Sequence, residues 1–259
     1  MSAAARWADD LAAWAIPPEI LAAAPQSPWI HPVEMFTVSD AVPDSPSHRR
    51  AREALPDGGS VLDVGCGGGR AAMALVPPAG RVTGVDEQQR MLDRFVEAAA
   101  RAQVDAETVQ GGWPQVAADV PAADVVVCHH VVYNVADLVP FVRALDEHAR
   151  RRVVLELPVT HPLSNLAPYW RRFWGLERPE GPTAQDALAV IREAGIDAQL
   201  DLWTDETYSA RAVLTAQEQV RFLRIRLCLP EARDDEVAAA LAEAGPPAPR
   251  RTATIWWDR

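Results

Sequence analysis

"VLDVGCGGGR", residues 61–70, sets four glycines within five positions directly after a short apolar run. Bare backbone at the end of a strand lets a ligand lie against main-chain atoms, with the first turn of the next helix beside it. Strand and helix patterns alternate outward from this stretch. "SVLDV" reads as strand, "GGRAAMAL" as helix, "RVTGVD" as strand, "QQRMLDRFVEAAARA" as helix and "ETVQ" as strand. "ADVVVCH" and "RRVVLELP" are two more strands around the helix "ADLVPFVRALDEHAR". Such alternation calls for a parallel sheet with helices on both faces.

The flanks are less regular. Trp7, Leu11 and Trp14 sit at helical spacing, and Pro17-Pro18 restart the chain into a short helix ending near Ala24. Residues 25–47 read as an irregular segment, after which Ser47 caps a helix to about Leu55. Beyond Pro158 comes a Pro- and Trp-rich insert, residues 159–182, then the helix "TAQDALAVIREAG" stopped by Gly195. "DAQLDLWT" is a sixth strand, residues 215–227 and 233–243 are helices, and "RTATIWW" is the closing strand. The expected organisation is an N-terminal helical cap, residues 1–47, on a main domain of residues 48–259.

Composition narrows the function. The net charge of −11 opposes wrapping of nucleic-acid phosphates. All 25 basic residues are arginine, which excludes a pyridoxal Schiff base and a P-loop lysine. Cys66, Cys128 and Cys228 lie far apart without metal-ligand spacing, as in a reduced interior. Asp9 and Asp10 interrupt the N-terminal stretch where a signal peptide is apolar, and no long uncharged apolar run follows. A soluble, cytoplasmic protein without a membrane partner is expected; oligomeric state is not legible.

A dinucleotide fingerprint, G-x-G-x-x-G, is imperfect here: from Gly65 the last position is Arg70, and from Gly67 it is Ala72, only a tolerated variant. The residues spell D-x-G-x-G-x-G instead, with Asp63, Gly65, Gly67 and Gly69. "VTGVD" ends in Asp86, Met91 follows five positions later, and "VQGGW" and "ADVVVCHHVVYNVAD" come next in order. This series resembles the class I S-adenosylmethionine-dependent methyltransferase family over residues 60–158. The resemblance implies a Rossmann-like, doubly wound sheet of seven strands, mostly parallel with an antiparallel last strand. It also implies S-adenosyl-L-methionine as cofactor and a small-molecule acceptor. It assigns cofactor contacts to Asp63, Gly65, Cys66, Gly67, Gly69, Asp86, Glu87, Met91, Gly112, Trp113 and Cys128. Asp86 is placed to accept both ribose hydroxyls, and Met91 to pack on adenine, although Met91 also fits a helix core. Gly112 departs from the family by replacing the acid that bonds the adenine amino group. The Trp113 indole can cover that ring or belong to the core.

Methyl transfer from a sulfonium needs chiefly in-line positioning and, for some acceptors, removal of a proton. His129, His130 and Tyr133, just after the fourth strand, are the candidates for that chemistry. Histidine at this turn is also an ordinary pocket-lining residue, the reading preferred for His130; His129 stays open between the two. Asn134 does not begin an N-P-P-Y motif, which removes the main sequence reason for a nucleic-acid substrate. The insert offers His161, Tyr169, Arg171 and Trp174 toward a planar or anionic acceptor, or else packs its aromatics into the core. A non-catalytic cofactor-binding module and a nicotinamide-dependent oxidoreductase are the alternatives.

Overall fold

The computed structural model describes residues 1–29, 44–206, 214–245 and 249–259. Most of the expected irregular segment at 25–47 therefore lies outside the described residues. Seven strands form one sheet in the order β3-β2-β1-β4-β5-β7-β6. They are β1 (Ser60–Val64), β2 (Arg81–Asp86), β3 (Asp105–Gln110), β4 (Ala123–His129), β5 (Ala149–Pro158), β6 (Gln199–Asp205) and β7 (Arg250–Asp258). β1 to β5 pair in parallel, and β7 runs antiparallel to both β5 and β6. The expected doubly wound sheet with an antiparallel last strand is what forms.

Apolar side chains cover both faces because the central strands are apolar throughout. One face packs on α1 (Ala3–Ala12), α6 (Leu138–His148) and α8 (Ala184–Glu193). Trp7 of α1 is fully buried there and donates its indole N–H to the Val135 carbonyl at 2.8 Å. Burying such a ring is worth ~2–3 kcal/mol, enough to hold a short helix on the body of the domain. The other face packs on α3 (Pro46–Ala54), α4 (Arg70–Met73) and α5 (Gln89–Ala102). A third cluster joins α2 (Pro18–Ala23), α7 (Ala167–Trp174), α9 (Ala216–Arg226) and α10 (Asp234–Ala244). Among the described residues, no helix is long and apolar enough to cross a membrane.

Two boundaries differ from the sequence expectation. Ser45, not Ser47, caps α3: its hydroxyl accepts from the His48 amide at 3.2 Å, and Pro46 occupies the first helical position. Ser47 lies inside the helix and is bonded at 2.7 Å to the Thr254 hydroxyl on β7. The helix after the glycines is a single turn that starts only at Arg70, because Gly69 before it holds the left-handed conformation (φ 87°).

α3 crosses a row of polar side chains. His129, Glu156, Thr254 and Asp201 stand in register on β4, β5, β7 and β6. Ser45, Ser47 and Arg50 of the α3 region meet Glu156, Thr254 and Asp201 in turn. This polar layer lies toward the carboxyl ends of the parallel strands, where ligands bind in open α/β sheets.

Candidate active site

The glycine loop is drawn against β2 by two amides, those of Gly65 and Cys66, which share the Val85 carbonyl at 2.8 and 3.0 Å. Gly65 adopts φ 69°, and a Cβ there would overlap Val131 Cγ2, so the position requires glycine on two counts. Gly67 (φ 51°) differs: a Cβ there would meet nothing within 4 Å. Its face of the loop is open. The Gly67 amide donates to Asp86 Oδ2 at 3.0 Å, and the Gln88 amide donates to Asp86 Oδ1 at 2.9 Å. A carboxylate offers about four lone-pair sites, so one on each oxygen of Asp86 is left for a further donor.

Asp63 has a different part from the one expected. It is 1% exposed and accepts the Ala72 amide at 3.1 Å, which ties α4 to β1. Burial, opposed by that hydrogen bond and aided by the Asp86 charge, pushes its carboxyl up to about 7. A raised folded-state value means that the proton stabilises the folded form. That stability is complete below the unfolded pKa near ~3.9 and is lost as pH rises through about 7. Asp63→Asn keeps an acceptor for Ala72 and abolishes the titration. Chemical denaturation of both proteins across this window should show wild type losing up to ~1.4 kcal/mol per pH unit relative to the variant. Parallel pH curves would refute this account of Asp63.

The structure divides the residues that the resemblance assigned to the adenine. Glu87 and Gly112 face each other, since a Cβ on Gly112 would come to 2.9 Å from Glu87 Oε1. Met91 is buried at the start of α5. Trp113 belongs to the core: its indole donates to the Phe141 carbonyl at 3.3 Å and meets the His148 ring edge-on at 4.8 Å. Cys66 points between β2 and α5, as the contact it would make with a Cβ on Gly84 shows, and Cys128 is fully buried. Burial raises both thiols, which leaves them unreactive.

Beyond β4 the two histidines separate. His129 is partly buried with its Nε2 enclosed, stacks on His48 at 5.4 Å, and is pushed down to about 3, chiefly by burial. Its ring stays neutral at neutral pH. His130 adopts φ 63°, a conformation in which histidine is enriched among non-glycine residues, and its side chain is 41% exposed. Its Nε2 lies 3.2 Å from Glu156 Oε1, and the Ser45 hydroxyl donates to Glu156 Oε2 at 2.9 Å. Burial opposes the charge on Glu156. The surrounding His129, His130 and Ser47 more than offset it and hold the carboxyl well below its ordinary range. Tyr133 is committed elsewhere: its hydroxyl donates to the Pro158 carbonyl at 2.9 Å, and burial raises its pKa.

The insert residues are not gathered into one place. His161 is buried, stacks on Trp14 at 4.1 Å and meets Tyr133 edge-on at 5.3 Å. Burial, with the Arg178 charge, pushes its ring down to about 4. Tyr169 lies in the third core cluster, Arg171 is exposed and paired with Glu177, and Trp174 donates its indole N–H to the Leu227 carbonyl at 2.7 Å. Sequence reasoning missed Ser45, His48 and Glu156. A lone acid inside the apolar strand "VVLELP" was the available signal, because a buried carboxylate demands partners.

Comparison with known proteins bears on the domain and the fold. Residues 61–151 match the family described as "Methyltransferase domain". No curated protein matches the chain. Among solved structures, the chain is similar to a SAM-dependent methyltransferase from Geobacter sulfurreducens crystallised with S-adenosyl-L-homocysteine. That pair shares 17% identity, with 89% of this chain and 99% of the other covered at a TM-score of 0.56. The YcgJ protein from Bacillus subtilis is similar at 16% identity, 82% and 97% coverage and a TM-score of 0.54. These structures share the fold, and the matched domain spans the glycine loop, β2 and the turn after β4. Residues 61–151 thus carry a methyltransferase domain, set in a sheet whose order and antiparallel last strand are those the class I resemblance implied.

Proposed function

We propose that the protein transfers the methyl group of S-adenosyl-L-methionine to a small-molecule acceptor. One observation carries the reading: the open face at Gly67 is joined by its amide to a carboxylate with lone pairs to spare. The residues fit this cofactor. Asp86 takes the ribose hydroxyls, Met91 and the Glu87–Gly112 edge border the adenine, and the loop lies under the methionine portion. Bound there, the cofactor supplies an activated methyl group. The protein holds the donor and acceptor in line and excludes water between them. The solved structure with S-adenosyl-L-homocysteine supports the assignment through the shared fold.

A nicotinamide dinucleotide suits the loop less well. Its pyrophosphate depends on a long helix N-terminus, whereas α4 has four residues. Calorimetry with S-adenosylmethionine, S-adenosylhomocysteine and NAD should give binding of the first two and at least ~100-fold weaker binding of NAD, a difference of about 2.7 kcal/mol. Preferential binding of NAD would overturn the proposal.

A further inference from the structure

The contact between His130 and Glu156 has a form that methyl transfer alone does not require. Glu156 is nine-tenths buried on a central strand, one oxygen occupied by the Ser45 hydroxyl and the other facing His130 Nε2 at 3.2 Å. The backbone reinforces the pairing, since the His130 amide donates to the Glu156 carbonyl at 2.7 Å. His130 turns into the left-handed conformation at this point and keeps much of its ring exposed. A carboxylate on Nε2 fixes the proton on that nitrogen and leaves Nδ1 as a lone pair. The next residue, Val131, packs directly on Gly65, so the turn that carries His130 abuts the glycine loop.

We propose that His130 is the general base for a hydroxyl acceptor, with Glu156 and Ser45 as its positioning residues, so that the reaction is O-methylation of a phenol or alcohol. The inference rests on the methyltransferase reading above. The acceptor O–H bond breaks and its proton passes to His130 Nδ1. The oxygen forms a bond to the methyl carbon, the carbon–sulfur bond of the donor breaks, and its electron pair remains on sulfur. The products are a methyl ether, S-adenosylhomocysteine and an imidazolium whose charge faces Glu156. Solvent then takes the proton from the exposed ring. His129, the other histidine at this turn, is enclosed and stacked on His48, and the Tyr133 hydroxyl is held by Pro158.

Two measurements test the proposal. Nitrogen-15 correlation spectra of the unliganded wild-type protein should show His130 with a protonated Nε2 and a bare Nδ1. In Glu156→Gln that preference should weaken. This readout needs neither an acceptor nor turnover. The opposite tautomer in wild type would overturn the proposal. The second measurement uses a matched panel of phenols, anilines and thiophenols with labelled S-adenosylmethionine, alongside S-adenosylhomocysteine calorimetry. His130→Asn tolerates the left-handed backbone and should lose about 100-fold or more in kcat on phenols. On thiophenols, already ionised at neutral pH, the loss should stay within severalfold, and S-adenosylhomocysteine affinity should not move. Equal losses on both acceptors would make His130 structural and overturn the proposal. So would methylation of anilines alone, or of no hydroxyl compound by a protein that binds S-adenosylhomocysteine. A protein that fails to bind S-adenosylhomocysteine would instead overturn the underlying functional reading.

Discussion

Gly65→Val is expected to cost the fold about 4 kcal/mol or more. Part of this is backbone strain, since φ 69° is an outlier for a β-branched residue and costs ~1–3 kcal/mol. The rest is overlap with Val131, because forcing extra methyl groups into packed surroundings costs a further ~1–3 kcal/mol or more. At roughly 2–4 °C per kcal/mol for a domain of this size, the melting temperature should fall by ~10 °C. Adding Val131→Ala relieves the overlap and leaves the strain, so the double variant should regain about half the loss. Gly67→Ala provides the contrast. It meets open space, so it should keep the fold to within ~2 kcal/mol while obstructing a ligand laid on the loop. Calorimetric melting of the three variants decides the matter. A Gly65→Val protein as stable as wild type would mean that the loop is not held against the turn after β4.

Asp86→Ala should weaken S-adenosylmethionine binding by about 30- to 1,000-fold, the equivalent of ~2–4 kcal/mol for two charge-assisted hydrogen bonds. The same change releases the Gly67 amide, which in wild type is held at 3.0 Å, so the loop loses its tether as well as the ligand its partner. Asp86→Asn keeps one acceptor oxygen and should fall between the two. The fold should survive, because the residue stands partly exposed at the tip of β2. Titration calorimetry on the folded variant gives the answer, and an unchanged dissociation constant would place the cofactor elsewhere.

Much of the fold was legible because the strands are short apolar runs separated by helix-period segments, and the sheet is built from that alternation. The errors lie where one residue overrides the pattern. Pro46 at the first position of α3 makes Ser45 the cap, a signal that outranks the serine inside the helix. Gly69 in the left-handed conformation delays the start of the helix after the loop to Arg70. Asp86 and the glycines were grouped because neighbours in sequence tend to be neighbours in space, and the Gly67 amide does meet the Asp86 carboxylate. Asp63 lies in the same stretch, yet its burial under α4 depends on how that turn folds back. Trp113 had two uses open to it, and only the packing of α6 and β3 decides for the core. Glu156 could not be paired with His130 or Ser45 without the β4–β5 register and the path of α3. Arg171 and Trp174 were drawn toward an acceptor by residue type, whereas helix α7 turns them to Glu177 and Leu227.

The position of β7 between β5 and β6 has a consequence for biosynthesis. Every other described element leaves the ribosome before it. Until Arg250–Asp258 is made, β6 has no neighbour to pair with. β5 meanwhile presents an open edge carrying Val153, Leu155 and Leu157, all fully buried once the sheet is complete. An apolar strand with unpaired amides and carbonyls is a template for association with other chains. The nascent protein thus carries an adhesive edge from the synthesis of β5 until β7 emerges to close it.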